Sequence, residues 1–117
     1  NVHNMEELLM HVYNKLVRDR IPEIIQKSGK VAITRKLSQE EYKIELQKKF
    51  EEELREYFDA KTDAEALEEL ADIYEILESL AQVHGATIAV VETIRYKKAE
   101  ERGRFEDRIF LVEVKDE

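Results

Sequence analysis

The chain has 117 residues, a formal net charge of −8 and no cysteine. That length suits one domain with a real core. The missing cysteine excludes disulfide scaffolds, thiolate-bound zinc, iron–sulfur clusters and thiol catalysis. Three glycines and one proline are too few to punctuate a β-sandwich or barrel, so the composition predicts a mostly helical single domain over residues 1–117.

In chain order, residues 1–4 precede Met5 and are given no weight. A first helix is predicted after Arg20, with Pro22 tolerated in its first turn, running to about Lys27 and ended by Ser28-Gly29. A second opens at Ser38, whose partner Glu41 completes an S-x-x-E capping box. It carries Tyr42, Leu46, Phe50, Leu54, Tyr57 and Phe58 as an apolar stripe and stops near Ala60-Lys61. Thr62 and Glu65 form a second capping box, opening a third helix that runs to His84 before Gly85. A fourth runs from about Thr87 to Arg102 and ends at Gly103. The β-branched and aromatic segment 109–114 reads as one short strand, with 31–33 or 12–17 as candidate partners. The expected architecture is an all-α antiparallel bundle of about four helices with a short C-terminal strand.

Charge is unevenly spread. Residues 51–78 hold 12 acidic and 2 basic side chains, whereas residues 15–36 hold 7 basic and 2 acidic. Runs of this kind usually mark a solvated helix face. The overall acidity argues against nucleic acid as a partner. No apolar run approaches the roughly 18 residues that a membrane span needs, and the start shows no signal-peptide pattern. The expected location is the cytoplasm.

The second and third helices carry spaced acids. Residues three apart share a helix face, so Glu53 pairs with Glu56, and Glu69 with Asp72. The short connection around Lys61-Thr62 implies antiparallel neighbours, which lets both pairs meet at one level. Projected at about 100° per residue, Glu69 falls among Ile73, Ile76 and Leu80, within an arc that also holds Leu67, Leu70, Tyr74 and Leu77. Glu68, Glu75 and Glu78 take the opposite, solvated side, and Glu53 flanks the stripe of the second helix. A carboxylate against an apolar face must be paired, protonated or metal-bound. Only Arg55 and Lys61 are basic between Glu51 and Glu78, so the converging carboxylates point to a hard cation such as Mg²⁺ or Mn²⁺. Carboxylate-held cations of this kind commonly bind phosphate groups. Lys15, Arg18 and Arg20 before the acids, and Lys97, Lys98 and Arg102 after them, would then neutralise the remaining phosphate charge. His3, His11 and His84 need no role, and no glycine-rich phosphate loop is present.

The combination E-E-x-x-E at Glu52, Glu53 and Glu56 with E-x-x-D at Glu69 and Asp72 resembles the signature of the MazG-like all-α nucleoside triphosphate pyrophosphohydrolases. The segment 13–22 (YNKLVRDRIP), and Lys98 with Glu101-Arg102-Gly103-Arg104-Phe105 and Arg108-Ile109, look like the phosphoribosyl-ATP pyrophosphohydrolase-like subfamily. Arg104 departs from that pattern, which often has a second glycine there. The resemblance implies a dimer or tetramer with Mg²⁺ on the second and third helices. It implies hydrolysis between the α- and β-phosphates of a nucleotide, in house-cleaning or in control of nucleotide pools. Carried over, Glu53, Glu56, Glu69 and Asp72 would be metal ligands, and Glu52 would orient or deprotonate the attacking water. Lys15, Arg18, Lys98 and Arg102 would contact the phosphate chain. The alternatives are phosphoribosyl-ATP hydrolysis and a non-enzymatic helical module for oligomerisation or binding.

Overall fold

The computed structural model describes residues 12–116, so the expectations for residues 1–4, His3 and His11 lie outside the described residues. Among the described residues there are four helices and no strand: α1 (Ile21–Lys27), α2 (Gln39–Asp59), α3 (Asp63–Val83) and α4 (Ile88–Arg102). The chain divides into two compact units, Asn1–Ile76 and Leu77–Glu117, with the division inside α3.

Local chemistry accounts for the helix ends. Pro22 sits in the first turn of α1, where its missing N–H would have had no partner anyway. Beyond its last residue, Gly29 takes φ 89°. There its N–H donates to the Gln26 carbonyl and that of Lys30 to Ile25, closing carbonyls the helix leaves open. At the start of α2 the expected capping box is complete: Glu41 N–H donates to Ser38 Oγ at 3.2 Å, and Ser38 N–H to Glu41 Oε1 at 3.1 Å. Arg35 adds a 2.9 Å bond to Glu41 Oε2. The α3 box is shifted by one residue. Thr62 Oγ1 accepts from Glu65 N–H, but the Glu65 carboxylate reaches back to Lys61 N–H rather than to Thr62. In the second unit, α3 ends in a Schellman turn, with Ala86 N–H on the Ala81 carbonyl, Gly85 N–H on Gln82, and Gly85 at φ 75°.

In the first unit α2 and the first part of α3 form an antiparallel hairpin. Among the described residues, Leu46 and Ile76 are the buried apolar side chains of this unit, and Ala81 is that of the second unit. Half-buried Tyr42, Phe50 and Tyr57 flank Leu46 along α2, whereas Leu54 and Phe58 are exposed. The apolar arc expected on α3 is divided. Ile76 is buried and Ile73 and Leu80 half-buried, while Leu67 (65% exposed), Leu70, Tyr74 (54%) and Leu77 face outward. Glu78, expected on the solvated side, is half-buried, while Glu68 and Glu75 are exposed.

The C-terminal strand is corrected. Residues 109–114 carry no strand assignment, and their apolar side chains are 73–87% exposed. A strand needs a ladder partner. Neither candidate supplies one: Val31 and Ile33 are themselves almost fully exposed, and residues 12–17 are not strand.

Candidate metal centre

The helical hairpin sets the geometry. The break between α2 and α3 spans only residues 60–62, so the facing turns stay in register. Two groups of acids result: Glu52, Glu53 and Glu56 on α2, and Glu53 of α2 with Glu69 and Asp72 of α3. Within each group, one oxygen per residue lies within 4.8 Å of the others. Glu53 belongs to both and is their centre. The sequence placed it beside the apolar stripe, but at 7% exposure it is as buried as Ile76.

Two oxygens inside this cluster are orphaned. Glu53 Oε2 and Glu69 Oε2 are buried and have no hydrogen-bond partner. A buried carboxylate oxygen without a donor is costly to keep charged, which favours the protonated form. Glu53 is pushed up to about 8, first by burial, then by the neighbouring Glu69 and Glu56 carboxyls and the charges of Glu56 and Asp72. Glu69 is also raised: the neighbouring Glu53 carboxyl pulls it down, but burial, the adjacent Glu56 carboxyl and the charge of Asp72 outweigh that pull. The two carboxyls behave as a pair that holds a proton near neutrality.

The rim is held differently. Lys15 Nζ lies 3.9 Å from Glu52 Oε1 and 5.9 Å from the centre of the Tyr13 ring. Arg18 Nη2 donates to Asp72 Oδ1 at 2.7 Å, and its Nη1 lies 3.9 Å from Glu75 Oε1. Lys15 and Arg18, two of the four basic residues that the resemblance assigns to the phosphate chain, therefore lie against carboxylates of the cluster. Lys98 and Arg102 are exposed on α4, in the second unit. Arg20 instead bonds Glu23, three residues on.

Glu75 is exposed, as expected, and its carboxylate lies beside the Arg18 guanidinium, a contact that the sequence reading did not include. Its i, i+3 spacing from Asp72 was available as a signal. Among the aromatic residues of the two helices, Tyr42, Phe50 and Tyr57 are half-buried and Tyr74 is exposed. A separate depression of about 320 Å³ lies beside the α2–α3 turn, lined by Tyr57, Phe58, Ala60, Lys61, Thr62, Asp63 and Ala66.

The donor set fits a hard divalent cation. All its donors are carboxylate oxygens, two of them are buried without donors of their own, and the cations nearby stand at the rim. No helix among the described residues is long and apolar enough to cross a membrane.

No family model matches the chain, and no solved structure matches it. It is similar to an uncharacterized protein of Mycolicibacterium smegmatis, with 48% identity over 54 residues. That stretch is 46% of this chain and 55% of the relative, so the match spans about half of each.

Proposed function

We propose that the chain is a Mg²⁺- or Mn²⁺-dependent nucleoside triphosphate pyrophosphohydrolase of the MazG-like kind, releasing nucleoside monophosphate and pyrophosphate. The observation that carries this reading is the pair of buried, partnerless oxygens on Glu53 and Glu69 at the meeting of the two acid groups. Glu53, Glu56, Glu69 and Asp72 would hold the cation, which when bound supplies positive charge to the phosphoryl oxygens. Glu52, one turn before Glu56, orients a water molecule and accepts its proton as the water oxygen bonds to the α-phosphorus. The bond from that phosphorus to the bridging oxygen breaks, and pyrophosphate leaves with the electron pair. Lys15 and Arg18 beside the cluster would meet phosphate charge that carboxylates cannot, and the resemblance assigns Lys98 and Arg102 to the phosphate chain as well. Because the transition state spreads negative charge over oxygens, positioning and charge suffice without a covalent intermediate.

The same reading includes self-association as a dimer or tetramer in the cytoplasm, supported by the outward flank of Leu67, Leu70 and Tyr74 on α3. That flank also favours the second reading, a helical association module without catalysis.

Product analysis tests the reaction class. The purified chain is incubated with a panel of ribo- and deoxyribonucleoside triphosphates and phosphoribosyl-ATP, with Mg²⁺ or with chelator. Metal-dependent monophosphate plus pyrophosphate is expected from the triphosphates. Turnover of phosphoribosyl-ATP alone moves the substrate to that compound. Release of orthophosphate and diphosphate overturns the assigned bond, and absence of turnover leaves the association module.

A further inference from the structure

Residues 15 and 18 stand in the irregular segment before α1, and each reaches one arm of the acid cluster. Lys15 lies near Glu52 of the α2 group, and Arg18 bonds Asp72 of the α2–α3 group. Asp72 is thus shared: one oxygen falls within the Glu53–Glu69–Asp72 triangle, and Oδ1 accepts from Arg18. The Arg18 side chain is largely exposed, and an exposed pair of this kind is weak and exchangeable. Buried Glu53, with its partnerless Oε2, marks the point into which a cation would draw the surrounding carboxylates.

Resting on the proposed metal-dependent function, we infer that Arg18 is a counter-ion latch: it occupies Asp72 until a divalent cation takes that carboxylate, and its guanidinium is then released toward the anionic ligand. Arg18 and the cation compete for one carboxylate, so removing Arg18 tightens cation binding in the absence of any anion. The freed guanidinium is a planar fork of donors suited to phosphoryl oxygens, so the exchange links cation entry to anion capture. Glu75 keeps hold of the other guanidinium nitrogen and limits how far the side chain travels. Arg18 acts through Asp72 and is a positioning residue for the cation.

The test is Mn²⁺ binding to the full chain, read from the free-ion electron paramagnetic resonance signal, with no nucleotide present. Arg18→Gln is expected to bind Mn²⁺ about 1.5- to 5-fold more tightly than wild type, the gain from removing a weak competing partner. Arg20→Gln removes the same charge two residues away, from a side chain bonded to Glu23, and is expected to leave affinity unchanged. A second readout is the Arg18 Nε–H nuclear magnetic resonance signal, expected to shift toward that of a free arginine on saturation with Mg²⁺. Equal or weaker Mn²⁺ binding by Arg18→Gln, equal tightening by Arg20→Gln, or an unmoved Arg18 signal each overturns the latch. Failure of the latch alone leaves wild-type Mn²⁺ binding saturable and lost in Glu69→Gln. If wild type shows no saturable binding, the metal reading fails and the latch with it.

Discussion

Glu53 of α2 and Glu69 of α3 meet across the hairpin, each with a buried Oε2 that has no hydrogen-bond partner. The sign of the resulting pH dependence follows from Glu53. Its carboxyl is raised from an ordinary 4.5 to about 8, so between those values the folded metal-free chain binds more protons than the unfolded one. Stability then falls as pH rises through that window and levels off above it. Thermal melts of the chelated protein are expected to decline from about pH 5 to about pH 8, and Glu53→Gln should flatten that decline. A Tm that rises across the same range contradicts the assignment.

Cation binding must displace the proton held by this pair. Calorimetric titration of Mn²⁺ at pH 7 in buffers of different ionisation enthalpy is expected to show proton release. Apparent affinity should increase toward pH 8. Heats independent of buffer would mean that Glu53 is already ionised or is not a ligand.

Neutralising a ligand removes repulsion along with function. Glu69→Gln and Asp72→Asn are each expected to abolish metal-dependent turnover while leaving the chain folded. Glu69→Gln should melt at or above the wild-type temperature without metal, since it relieves a crowded carboxylate. Asp72→Asn should gain less, because it also weakens the Arg18 bond. Wild-type turnover in either variant removes that residue from the ligand set.

The α2 cap has its own pH signature. Arg35 first, and then the Ser38 backbone N–H, hold the Glu41 carboxylate down at about 2. A depressed carboxyl contributes stability above its ordinary value of 4.5 and loses it as pH falls toward about 2. Replacing Ser38 by Ala is expected to cost about 1 kcal/mol in urea denaturation at neutral pH. No change would show that other contacts suffice to start the helix.

Burial separates the apolar residues by consequence. Leu46→Ala, at a buried position, is expected to cost about 2–5 kcal/mol. Phe110→Ser in the exposed tail should change the stability of the isolated chain by less than about 0.5 kcal/mol. Denaturant midpoints check both. A large loss for Phe110→Ser would show that the tail is packed against something in solution.

Helix ends were legible because their signals are local. Ser38 with Glu41, Thr62 with Glu65, and the glycines after α1 and α3 all act within a few residues of themselves. The acid pairs were legible for the same reason: i, i+3 spacing and a three-residue connection leave little freedom in where the carboxylates go. The centre of the α3 arc was not. Periodicity gives a width of apolar surface but not which edge a neighbour covers, so Leu67 and Tyr74 fall within the apolar arc although they face outward. Segment 109–114 shows the limit of β propensity, which describes residues that suit a ladder without supplying its other side. The Arg18–Asp72 bond spans 54 positions, and no periodic pattern couples residues so far apart.

The two acid groups lie within residues 52–72, joined through one tight turn. Contacts at such short sequence separation carry little loop-closure entropy and belong to the fast events of folding. The carboxylates therefore meet early, while the Arg18–Asp72 contact waits for a much longer loop to close. During that interval the nascent hairpin holds its repulsion unrelieved by Arg18, so divalent cation in the refolding buffer should speed the hairpin's collapse more than it speeds the final docking of the basic segment.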